Sequence, residues 1–162
     1  MIIKLSLAGM ALMALAGIAQ ADTATCPPVS TIKANPYTDP NPQIPDGYEY
    51  KAPGPAGQTW EGQSPATLDT YLEPKYQLGL VGAKIANGKV FCLYGGTAEK
   101  EKAEPADKVS RPFIKLQLSM SGLEKAEGTQ WNNGICGAQE GADALENPKR
   151  LSVSDCSFKY TP

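Results

Sequence analysis

The chain has 162 residues, with 15 basic and 17 acidic side chains and no histidine. A charge this small and mixed argues against nucleic-acid and anionic-membrane partners, which need basic patches. Without histidine, Ser-His-Asp and Cys-His catalysis, H-E-x-x-H sites and His-rich metal sites are excluded together.

In chain order, Lys4 supplies a positive start, Leu5 to Ile18 an apolar run, and Ala19-Gln20-Ala21 an A-x-A cleavage site. The run is shorter than the roughly 20 residues that a membrane span needs. A signal peptide cleaved after residue 21 is the reading this supports. The mature chain is then residues 22–162, periplasmic or secreted, with no membrane span after cleavage. It holds 14 basic and 17 acidic residues, a size and balance suited to one soluble domain.

The mature chain contains four cysteines, Cys26, Cys92, Cys136 and Cys156. An even count in an exported chain reads as two disulfides. Three connectivities are open, and we favour Cys26–Cys92 with Cys136–Cys156. The spacings hold no C-x-x-C pair, so zinc and redox roles are disfavoured.

Residues 22–74 form a proline-rich segment, with ten of the 14 prolines between 27 and 74. Proline lacks an N–H and fixes φ, so this half is expected to wrap, loop-rich, over core strands supplied by residues 75–162. Short strands are expected at Tyr48–Lys51 and Gln58–Glu61. A brief helix is expected at Pro65–Leu72, capped by Ser64.

Asn87-Gly88 is the clearest hairpin signal, because a type I′ turn needs positive φ at both central residues. It pairs Ile85 with Val90, Ala83 with Cys92 and Val81 with Tyr94, all on one apolar face. Residues Glu99–Lys108 read as an exposed charged loop. Phe113–Met120 alternates apolar and polar side chains and reads as a half-buried strand. Trp131–Cys136 contains the turn cluster Asn132-Asn133-Gly134, Gly141–Asn147 suits a short helix, and Arg150–Tyr160 reads as a final strand bulged near Ser154-Asp155. The expected fold is mainly β: an antiparallel β-sandwich or open barrel with one or two short helices and two disulfides.

Chemistry-bearing motifs are scarce. Asp39-Pro40-Asn41 begins like a calcium loop, but Ile44 and Tyr50 stand where glycine and an acid are required. No nucleophile elbow, S-x-x-K or phosphate loop is present. No catalytic residue, metal ligand or cofactor is assigned. Glu61 beside Trp60 is the one carboxylate that suggests a hydrolase pair. The aromatics Tyr48, Tyr50, Trp60 and Trp131 either pack the core or form a contact surface, and they are the candidate binding residues.

Cys26-Pro27, Ile32-Lys33, Tyr48, Gly57, Trp60-Glu61-Gly62 and Gly88-Lys89-Val90-Phe91-Cys92-Leu93-Tyr94 resemble a family of small exported proteins of unknown function from Gram-negative bacteria. The resemblance implies an exported β domain whose Cys-Pro start is bridged to a Cys-x-Tyr strand. It implies no activity. The expected function is non-enzymatic binding of another macromolecule, with a protein as partner, as an inhibitor, an envelope or secretion accessory subunit, or an effector. Two alternatives stand beside it: a glycan-binding module using exposed aromatics, and a carboxylate-based hydrolase.

Overall fold

A computed structural model describes residues 21–97, 112–138 and 149–162. The expected signal peptide up to residue 20, the charged loop Glu99–Lys108 and the helix Gly141–Asn147 lie outside the described residues. Eleven strands are found among the described residues. They are β1 (Asp22–Ala24), β2 (Lys33–Tyr37), β3 (Gly47–Pro53), β4 (Thr59–Ser64), β5 (Gly79–Ala86) and β6 (Lys89–Gly95), then β7 (Phe113–Ser119), β8 (Ser121–Lys125), β9 (Trp131–Asn132), β10 (Ile135–Gly137) and β11 (Phe158–Thr161). All pair antiparallel, in an eight-stranded sheet ordered β2-β3-β4-β7-β6-β5-β10-β9 and a three-stranded sheet ordered β1-β11-β8. The fold is mainly β, as expected. Its described helical content is confined to 3-10 turns.

The two sheets close on one core. β7 alternates buried Ile114, Leu116 and Leu118 with exposed Lys115, Gln117 and Ser119, so one strand serves the core and the solvent face together. Met120 alone separates β7 from β8, so the chain passes from one sheet to the other at a single corner. Phe158 of the small sheet meets Trp60 of the large sheet edge-on, with ring centroids 6.2 Å apart. The Cys26–Cys92 bridge ties the segment after β1 to β6, and Cys136–Cys156 ties β10 to the 3-10 turn Val153–Cys156. Both pairings are the expected ones. Two buried disulfides mark a protein that works outside the reducing cytoplasm. No helix among the described residues is long and apolar enough to cross a membrane.

Four expectations need correction. The Asn87-Gly88 hairpin has the expected turn and pairs Ala83 with Cys92, but Leu80, not Val81, faces Tyr94. Val81 is the extra residue of a β-bulge. It lets two successive carbonyls reach different segments, Leu80 O accepting from Leu151 N–H and Val81 O from Ala138 N–H, each at 2.9 Å. Val81 then joins Leu93 in a second small cluster on the other side of the sheet.

The proline-rich half does more than wrap. β3 and β4 run seven and six residues and sit inside the large sheet. Pro45, Pro55 and Pro65 fall between strands and Pro53 ends one, so no ladder bond is lost. Pro36 lies in edge strand β2. Gly54 N–H donates to Gln58 O at 2.8 Å, which sets the phase of the alternating ladder. By that phase Lys33, Asn35 and Tyr37 bond to β3, while Ala34 and Pro36 turn their backbone to solvent. Pro36 has no N–H to leave open, so this edge is blunted against strand addition.

Pro65–Leu72 is not helical. Ala66 has φ +59°, which a right-handed helix does not accept. Ser64 ends β4 and spends its hydroxyl on Phe113 O instead of capping. At the C-terminal end the strand is only Phe158–Thr161. The change of apolar phase comes from the 3-10 turn Val153–Cys156, held by a capping box between Ser152 and Asp155.

Candidate functional site

The aromatics singled out by the sequence turn inward. Tyr50 is 0% exposed, Trp60 1% and Trp131 7%, while Tyr48 is half-buried against the core. Tyr48 and Tyr50 do share a face of β3, but it is the inner one. The Tyr50 hydroxyl accepts from Tyr71 N–H at 3.1 Å, and burial pushes its phenol above the ordinary value. Trp131 Nε1–H donates to Ser157 O at 2.7 Å. Buried rings with satisfied polar ends are packing elements. Three of the four offer no open ring face to a sugar or a partner.

The solvent side of the large sheet carries the other half of each strand's alternation. It displays Lys33 and Asn35 from β2, Glu49 and Lys51 from β3, Glu61 and Gln63 from β4, Lys115 and Gln117 from β7, Lys89 and Phe91 from β6, and Lys84 from β5. Five lysines face two glutamates here, in a chain whose total charge is negative. Net charge alone concealed this segregation.

The pairing register lines these side chains up. Lys33 lies opposite Lys51, Lys51 opposite Glu61, Glu61 opposite Gln117, Gln117 opposite Phe91 and Phe91 opposite Lys84. Residues directly opposite are side-chain neighbours, so the six make one row at right angles to the strands. Five strand spacings of about 4.8 Å give it a length of about 24 Å. Beside its middle lies a shallow depression of about 360 Å³, lined by Glu49, Lys51, Glu61, Gln63, Lys115 and Gln117.

Local contacts hold the row in place. Lys51 Nζ lies 3.2 Å from Glu49, and Glu49 also accepts from Asn35 Nδ2 at 3.5 Å. Lys89 Nζ donates to Gln117 at 3.5 Å, and Lys115 Nζ sits 5.8 Å from the centre of the Phe91 ring. At the β2 end, Tyr37 donates to Asp39 at 3.1 Å. Partial desolvation, then the Asp39 carboxylate, push the Tyr37 phenol above its ordinary value. Glu49 and Glu61 share the depression, but its other side chains are lysine and glutamine.

A second groove, of about 460 Å³, lies at the end of β2 between Pro36, Pro45, Tyr48 and Leu68, where Leu68 is 99% exposed. Sequence reading missed the lysine row altogether. The one available signal was lysine at outward positions of five strands, and its meaning depends on non-local register.

Comparison of the chain with models of protein families, with curated proteins and with solved structures finds no match.

Proposed function

We propose that this chain is an exported, non-enzymatic binding domain, acting in the periplasm or after secretion, that holds another macromolecule on the outer face of its large sheet. The observation that carries the reading is the charge segregation of that face: five lysines and two glutamates on one side of an otherwise acidic protein. The scaffold behind the face supports it. β6, in the centre of the sheet, is tied by Cys92 to the segment after β1, and β7 is packed by Ile114, Leu116 and Leu118. A backbone held this rigidly adds little ordering cost of its own on binding.

The test is retention by immobilised mature protein. Envelope extract and culture supernatant are passed over the native domain and over a Lys51→Glu/Lys115→Glu variant of equal fold and disulfide content. Material held by the native domain and lost on the variant is the expected result. Equal retention on both, or none on either, removes the outer face as the binding surface.

A further inference from the structure

Building on this binding-face reading, we infer that the macromolecule is a linear acidic polysaccharide, laid across the strands along the row Lys33, Lys51, Glu61, Gln117, Phe91 and Lys84. The row is continuous by register and about 24 Å long, so it suits an extended chain better than a single ion.

Charge is arranged unevenly along it. Within the row itself cations occupy both ends, Lys33 and Lys51 on β2 and β3 and Lys84 on β5, while Lys115 on β7 stands beside the middle. Like charges directly opposite on neighbouring strands destabilise a sheet. Glu49 offsets part of the charge at Lys51, 3.2 Å away, and an anion bridging Lys33 and Lys51 adds a partner for the second ammonium of this opposed pair. The middle is different. Glu61 and Gln117, with Gln63 beside them, offer planar groups that accept hydrogen bonds from hydroxyls, and the amides also donate. Phe91 is half-buried, leaving part of its ring for the apolar face of a sugar.

Other polyanions and proteins fit less well. A nucleic acid carries a phosphate on every residue, and a string of that density runs over Glu61 and past Glu49. An anionic membrane brings a plane of charge against the same two carboxylates. The cores of protein interfaces are depleted in Lys and Glu and enriched in Trp, Tyr, Met and Arg, the reverse of this face. Acidic sugars place hydroxyls between their carboxylates, which matches cationic ends around a hydroxyl-accepting centre.

Calorimetric titration of the mature protein with an oligogalacturonate tests this, with neutral dextran, single-stranded DNA and anionic phospholipid vesicles as comparison probes. Binding of the acidic oligosaccharide that weakens from about 50 mM to about 200 mM salt is expected, with dextran silent. Lys33→Glu and Lys84→Glu each lower affinity about tenfold, and Lys125→Glu on the small sheet leaves it unchanged. Circular dichroism and intact disulfides confirm that each variant is folded. Tighter binding of DNA or vesicles than of the oligosaccharide overturns the inference. So does oligosaccharide binding that ignores both end substitutions. If no probe binds but extract retention still depends on Lys51 and Lys115, the polysaccharide is wrong and the binding face survives. If both fail, both readings fall.

Discussion

The Tyr94 hydroxyl donates a 2.6 Å hydrogen bond to the carbonyl of Pro27, one residue beyond the disulfide that joins Cys26 to Cys92. Covalent bridge and hydrogen bond thus fasten the same short segment to the same strand, two residues apart on β6. Tyr94 and Pro27 are both buried. Tyr94→Phe keeps the ring and leaves the Pro27 carbonyl without this donor, so it should cost about 1–2 kcal/mol in urea unfolding. Burial also pushes the Tyr94 phenol far above its ordinary value. The folded state then keeps a proton that the unfolded state loses, so stability falls as pH rises past the ordinary tyrosine value of about 10. Urea melts across that alkaline range should show a decline in the native protein that is shallower in the phenylalanine variant. Equal slopes would remove the role assigned to this hydroxyl.

The two disulfides close loops of different length, with sequence separations of 66 and 20. On the chain-entropy model the longer bridge contributes about 4 kcal/mol and the shorter about 3 kcal/mol. Replacing Cys26 and Cys92 together by alanine should therefore lower stability more than replacing Cys136 and Cys156. Paired chemical melts of the two double variants check the order. The opposite order would mean that native-state strain or residual unfolded structure outweighs loop closure here.

Gly62 lies at the seam between β4 and β7, directly under the lysine row. A Cβ at this position would stand 2.2 Å from the backbone carbonyl oxygen of Lys115. Backbone does not yield as a flexible side chain does, so Gly62→Ala should push the two strands apart. The expected cost is about 3 kcal/mol or more, with amide exchange rising first in β4 and β7. Binding to the outer face should fall with it, because Glu61 and Gln117 meet across that seam. A stable variant with unchanged exchange would show that the strands adjust without loss.

What was legible in the sequence was local. The Asn87-Gly88 turn carries its own geometry, with φ of +53° and +69°, and β7 alternates within seven residues. Cys92 was readable as an inward residue for the same reason. The Val81 bulge was not, since it arises where Leu151 and Ala138 claim successive carbonyls of β5. Nor was the lysine row. Lys51 and Glu61 meet through a β3–β4 register, and Glu61 and Gln117 through a pairing of strands far apart in the chain. A slip of one residue in either would send half of these side chains inward.

Trp60 shows the same limit from the other side. As a tryptophan beside an acid in a proline-rich stretch it reads as a contact residue, yet the pleat of β4 sends it into the core while its neighbours Thr59 and Glu61 face water. Its edge-on contact with Phe158 is one of the places where the two sheets touch. Trp60→Ala should therefore behave as a core deletion, costing about 3–5 kcal/mol. Neighbouring Glu61→Gln, an exposed change, should stay within about 0.5 kcal/mol. Unfolding curves of the two variants separate the roles. If Trp60→Ala were to leave stability intact and abolish retention of a partner, the ring would belong to the binding surface after all, and the inward placement of β4 would be the error. If instead stability collapses with Trp60 and holds with Glu61, the two faces of this strand divide as the pleat divides them, core on one side and binding row on the other.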